Sequence, residues 1–153
     1  MIDTETARTK CSGGLIPTVD FFTLFWYIYL KKVRDQSELI QVMNMANHEF
    51  GVMQYAPKQG KRYDEYEPQK YNCITVNDDY LEGIDANFNN IDVYWHTLDV
   101  KGKGLAYCGI TLIPPSSIPS FIDVIKGISV LSELKELSEK ALEENKWMIH
   151  FGL

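Results

Sequence analysis

Two β-rich runs, Ile91 to Val100 and Leu105 to Ile113, flank Lys101-Gly102-Lys103-Gly104, and this pattern constrains the fold more than any other. A two-residue turn at Gly102-Lys103 places glycine where a type II′ hairpin needs it. The register then follows. Trp95 faces Ile110, Val93 faces Leu112 and Thr97 faces Cys108, while Tyr94 meets Thr111, His96 meets Gly109 and Leu98 meets Tyr107. Because side chains alternate across a strand, the first, more apolar face is expected to pack on helices. Tyr94, His96, Tyr107 and Thr111 are expected to share the wetter one.

Other elements gather around that hairpin. Phe50 to Tyr55 and Tyr71 to Val76 read as short strands, and Lys58 to Lys70 as a charged, aromatic, turn-rich loop. Asp78 to Asn90 reads as an acidic connection. Pro114-Pro115 ends the hairpin. Ile118, Phe121, Ile122 and Ile125 then recur at helical spacing, and Gly127 closes that helix. Leu131, Leu134, Leu137, Ala141 and Leu142 mark a helix over 131–145. Trp147, Ile149 and Phe151 alternate with Met148 and His150 as a last strand. Upstream, Phe22, Trp26, Tyr29 and Val33 mark one helix, and Leu39 to Ala46 a second that opens near Asp35. Residues 1–16 read as a flexible N-terminal arm, and 17–153 as a single α+β domain. The expected architecture is an antiparallel sheet of four or five strands centred on the 91–113 hairpin, with helices packed on one face.

A chain of 153 residues, 45% apolar and 24% charged, suits one globular core. The run Phe21 to Leu30 is bounded by Asp20 and by Lys31-Lys32, so it falls short of the roughly 20 residues a membrane helix needs. It is not preceded by a secretory pattern, and a cytoplasmic location is expected. Cys11, Cys73 and Cys108 form no CxxC pair; their odd, sparse set points to free thiols in a reducing compartment. A net charge of −6 repels nucleic acid and anionic lipid and favours cationic partners.

Chemistry-bearing patterns are few. His48-Glu49 opens like a zinc-protease helix, but Val52 stands where the second histidine belongs. Asp85-x-Asn87-x-Asn89 begins like a calcium loop, yet Asn90 replaces the turn glycine and His96 the bidentate acid. No metal or covalent cofactor is therefore expected. Lys58, Lys61, Arg62 and Lys70 interleave with tyrosines, but Asp64, Glu65 and Glu67 cancel most of that field. An acid/base site around His96, with Tyr94 and Tyr107, is the enzymatic or ligand-binding alternative. Asp92 lies about 13 Å along the strand from His96 and Asp99 points to the other face, so both are poor orienting partners.

The acidic stretch is more suggestive. Asp78, Asp79, Glu82, Asp85 and Asp92 occur with no Lys or Arg among them, and Tyr80, Leu81 and Phe88 supply apolar anchors. Carboxylates around an aromatic anchor suit docking to a basic protein: the charges speed encounter and the buried rings hold. A solvated acidic loop is the plainer alternative. A further one is a structural subunit paired as a homodimer through the helix at 131–145.

The stretch Gly109-Ile-Thr-Leu-Ile-Pro-Pro-Ser-Ser-Ile-Pro-Ser-Phe-Ile-Asp-Val-Ile125 resembles one found in small bacterial immunity proteins of polymorphic toxin systems, and Met148 to Leu153 has a similar flavour. The resemblance covers a third of the chain. It implies a cytoplasmic, non-enzymatic inhibitor that binds and blocks a cognate toxin domain, often a basic nuclease. It transfers no functional residue, because such interfaces differ from one toxin to the next. The partner-binding residues expected from the charge pattern are Asp78, Asp79, Tyr80, Glu82, Asp85 and Asp92.

Overall fold

The computed structural model describes residues 46–153. The arm at 1–16, the two helices expected before Ala46, the Phe21–Leu30 run and Cys11 lie outside the described residues.

Six strands form one antiparallel sheet: β1 (Asn47–Val52), β2 (Ile74–Asn77), β3 (Asp92–Trp95), β4 (Lys101–Lys103), β5 (Ile110–Ile113) and β6 (Met148–Phe151), in the order β2-β1-β6-β5-β3-β4. The α+β class and the helix-covered face hold. The strand count is six, and the middle of the sheet is β6 beside β5, the last strand of the 91–113 segment.

That segment departs from the expected hairpin for a local reason. His96 adopts a left-handed backbone (φ 60°), and the chain reverses over 96–100, closed by Thr97 N–H to Trp95 O (2.7 Å) and Trp95 N–H to Val100 O (3.0 Å). The reversal therefore precedes Gly102. Lys101–Lys103 becomes the edge strand β4, and Trp95 lies flat over Gly102, where any side chain would strike its ring. Gly104 (φ 75°) ends β4, and the chain returns on the other side of β3 as β5. Tyr94 pairs with Leu112 and Trp95 with Thr111, one residue from the expected register. A slip of one exchanges the faces. Thr111 turns to the helix-covered side, and Ile110 and Leu112 to the opposite one.

The helix-covered face carries Phe50, Val76, Val93, Ile113 and Met148 against α2 (Ile118–Ile125) and α3 (Ser132–Glu143). Pro119 pre-sets the first turn of α2, Ile118, Phe121 and Ile125 form its buried stripe, and Gly127 (φ 83°) follows its end. On α3 the inward stripe is Leu134, Ser138 and Ala141, with the Ser138 hydroxyl donating to Leu134 O at 2.7 Å. A short helix, α1 (Asp78–Glu82), and a 3-10 turn at Asp85–Asn90 replace the expected acidic connection; Leu81 and Phe88 pin them to the same core.

The opposite face is not wet. Met53 and Tyr63 pack there with Ile110, Leu112, Ile149 and Phe151, flanked by Tyr71, Cys73, Tyr94, Leu98 and Trp147. The 58–70 segment, expected as a solvated loop, thus covers this face through Tyr63, whose N–H donates to His96 O at 2.7 Å.

Candidate functional site

The acidic residues separate into three groups. Asn77 caps α1, its side chain accepting from Asp79 N at 2.9 Å, and Leu81 is buried at 3% exposure. These two contacts fix which side of the helix meets solvent. Asp79, Tyr80 (47% exposed) and Glu82 point outward, and Asp85 lies exposed on the turn that follows. Asp92 lies apart on β3 and pairs with Lys103 at 2.8 Å; the ammonium holds its carboxyl below the usual range, although both side chains are exposed. Asp78 turns inward.

Asp78 is the end of a buried polar chain that no sequence pattern announced. Its Oδ1 is 2.9 Å from Nε2 of His48, and its Oδ2 accepts from the Tyr107 hydroxyl at 2.9 Å. His48 Nδ1 is 2.8 Å from His150 Nε2, and His150 Nδ1 is 3.3 Å from the Thr111 hydroxyl. Thr111 Oγ1 in turn accepts from Ala106 N at 2.9 Å. His48 is 3% exposed, and His150 and Thr111 are fully buried.

Elementary bookkeeping of donors fixes the proton positions. A carboxylate only accepts, so His48 carries its proton on Nε2. His48 Nδ1 then accepts from His150 Nε2–H, and His150 Nδ1 accepts from the Thr111 hydroxyl. Every link is satisfied with both rings neutral, and all donation runs toward Asp78. Burial, with the neighbouring His48 ring second, holds His150 well below the usual imidazole range. Phe50 packs on the His150 ring with centroids 4.6 Å apart, and Tyr107 meets His48 edge-on at 5.7 Å. The arrangement joins β1, β6, β5, α1 and the 105–109 loop.

Period-two alternation was the signal available for these histidines. His48 and Phe50 share one face of β1, as Met148 and His150 do on β6, so each imidazole stands in line with a core residue. What the sequence did not supply was the pairing of β1 with β6, which brings them together.

The His96 alternative takes a different form. Its ring Nδ1 lies 3.0 Å from Tyr63 O and 2.9 Å from Asp64 Oδ1, and its Nε2 accepts from Ile110 N at 3.4 Å. The carboxylate beside it is therefore Asp64, neither Asp92 nor Asp99. Asp64 is itself clasped by Arg62 at 2.8 Å, which lowers its carboxyl below the usual range. Tyr94 packs against Trp147 (5.7 Å between centroids), and Tyr107 binds Asp78. The three residues engage three separate sets of partners.

Surface cavities open beside some of these residues. One of about 250 Å³ is lined by Lys61, Arg62, Glu67, Lys70 and Tyr71 among others. Another of about 790 Å³ runs beside Tyr94, Trp147, Lys101 and Pro114. Among the described residues no group of three or more His, Cys, Asp or Glu converges as metal ligands do, and no helix is long and apolar enough to cross a membrane. Cys73 is free and half-buried, and burial pushes its thiol up to about 12; Cys108 is disulfide-bonded, so the expectation of a free thiol fails at that position. No family model, curated protein or solved structure matches the chain.

Proposed function

We propose that this chain is a protein-binding inhibitor: an immunity protein that blocks a cognate toxin domain, of nuclease type, through the acidic surface of α1 and the turn after it. The observation that carries this reading is Tyr80, 47% exposed between Asp79 and Glu82 on a helix fixed from beneath by Leu81 and Asp78. Asp79 and Glu82 stand three residues apart and so share a helix face. A rigid, solvent-facing aromatic ringed by carboxylates is suited to a basic cleft. The ring buries apolar area, and the charges occupy positions where phosphates would bind. The likeness to immunity proteins over 109–125 supports the scaffold rather than the interface, since that stretch supplies β5 and α2.

The alternative, a small enzyme or ligand-binding domain around His96, draws no support from the geometry. The two ring nitrogens of His96 tie the Tyr63 carbonyl and the Asp64 carboxylate to β5.

Co-expression with the C-terminal domain of a toxin encoded beside this chain tests the proposal. The wild-type chain is expected to restore growth and to bind that domain. The triple reversal Asp79→Lys, Glu82→Lys, Asp85→Lys brings the net charge from −6 to neutral, and association is expected to slow at least tenfold. Tyr80→Ala is expected to speed dissociation. Binding indifferent to all four substitutions refutes the docking surface, and failure to protect refutes the immunity role.

A further inference from the structure

The His48–His150 pair, with Asp78, Tyr107 and Thr111, has no part in the docking surface, and it couples α1 to the sheet. We propose that this pair is an acid-sensitive latch: while both rings are neutral it clamps α1 and the 105–109 loop to the ends of β1, β5 and β6, and acid opens it.

The reasoning starts from how many protons the closed chain can hold. With Nε2–H on both rings, donation runs without a break from Ala106 N–H to Asp78. The facing nitrogens, His48 Nδ1 and His150 Nε2, lie 2.8 Å apart and have room for one hydrogen between them, so two imidazolium rings would set donor against donor in a buried place. Among the described residues, the ionisable groups in contact with the pair are Asp78 on α1 and Tyr107 in the loop, and both meet the His48 side. Among the described residues, the polar neighbours of the His150 ring are His48 on β1 and the Thr111 hydroxyl on β5, and Phe50 covers the ring. The inward stripe of α3, which packs on β1, is Leu134, Ser138 and Ala141 and brings no charge. The closed latch therefore has room for at most one added proton, whereas opening exposes both imidazoles to water.

The sign follows from that difference. The open form binds more protons below the free imidazole pKa of about 6.5, so opening becomes easier as pH falls. One unmatched proton raises the opening constant about tenfold between pH 7.5 and 5.5. The latch belongs to the isolated chain, and its test needs no partner, so it stands or falls separately from the docking proposal.

The test is native-state hydrogen exchange on the full chain, corrected for the chemical exchange rate. The amides followed are Asp79, Ile84 and Ala106, with α2 and α3 as reference. Those three are expected to exchange faster than the reference amides at both pH values, and to gain about tenfold more opening at pH 5.5. In His150→Gln, which keeps a donor toward His48 but cannot titrate, the gain is expected to drop below twofold. Imidazole nitrogen shifts of the wild-type protein provide a readout that survives misfolding of that variant: His150 is expected to stay neutral at pH 5.5 while the chain is folded. An imidazolium at His150 in the folded protein, no acid acceleration, or exchange of the three amides only together with α2 and α3 each overturns the proposal.

Discussion

Asp78 and Asp79 are neighbours in sequence with the same side chain, and the structure gives them opposite roles, which a pair of substitutions can separate. Asp78→Ala removes the acceptor of His48 Nε2–H, a donor only 3% exposed. A buried donor left without a partner costs about 1–3 kcal/mol, and a hydrogen bond to a charged group is worth about 1.5–3 kcal/mol. The Tyr107 hydroxyl loses the same partner, but that residue is 38% exposed and water replaces much of the bond. The expected loss is therefore about 2–3 kcal/mol, a large share of the roughly 5–15 kcal/mol that stabilises a typical domain. Asp79→Ala deletes an exposed carboxylate and leaves its backbone N–H bonded to Asn77, so its effect should stay within about 0.5 kcal/mol. Asp78→Asn retains one carbonyl for His48 and turns an amide toward Tyr107, whose hydroxyl can accept, for an intermediate cost of about 1 kcal/mol. Urea unfolding followed by circular dichroism, read as midpoints at constant m, measures all three. Equal losses for Asp78→Ala and Asp79→Ala would refute the buried chain, because His48 would then be finding water.

Phe121, 1% exposed between Phe50 (5.9 Å) and Phe88 (5.2 Å), links α2 to β1 and to the turn after α1; Phe121→Ala is expected to cost about 3–5 kcal/mol in the same assay. Gly109 holds φ 120°, and a Cβ there would lie 2.6 Å from His96 Nε2, so Gly109→Ala should destabilise by about 1–3 kcal/mol; a smaller loss would show that the loop adapts. Burial pushes the Cys73 thiol from the usual 9.0 up to about 12, and mass-mapped alkylation at pH 8 should find it far less reactive in the folded chain than in urea. Because the unfolded thiol ionises first, this group lowers stability as pH rises from 9 toward 12, and has no such effect below 9. The Tyr66 phenol, hydrogen-bonded to Glu49, is pushed up to about 12, so the difference between ultraviolet titrations of wild type and Tyr66→Phe should show it ionising late, and Glu49→Gln should return it toward 10.

The sequence was most legible where one period dominated. α2 spans the residues that the Ile118–Ile125 spacing marks, and β6 falls within the 147–151 alternation. Legibility failed where one residue decides between registers. The turn chemistry of Gly102-Lys103 favours reversal there, yet His96 in a left-handed conformation reverses the chain earlier, and that exchange places Thr111 beside His150. Asp78 illustrates the same limit. Charge patterning assigns it to the surface with Asp79, and only the pairing of β1 with β6 and the position of the 105–109 loop reveal that it answers a buried imidazole. Tyr63 was hidden for a related reason: a polar, charged segment conceals one aromatic that seals a sheet face.

The position of β6 has a consequence for how the chain is made. Among the described residues, β2-β1 on one flank and β5-β3-β4 on the other join the same sheet through this strand, and His48 must wait for a histidine 102 residues further along. Until that keystone is translated and slots in, two half-sheets carry open, hydrogen-bond-hungry rims, the form in which β-rich chains stick to one another. Deleting 148–153 should accordingly yield insoluble material instead of a weakened fold, and supplying that hexapeptide-length stretch in trans during synthesis should recover part of the soluble yield.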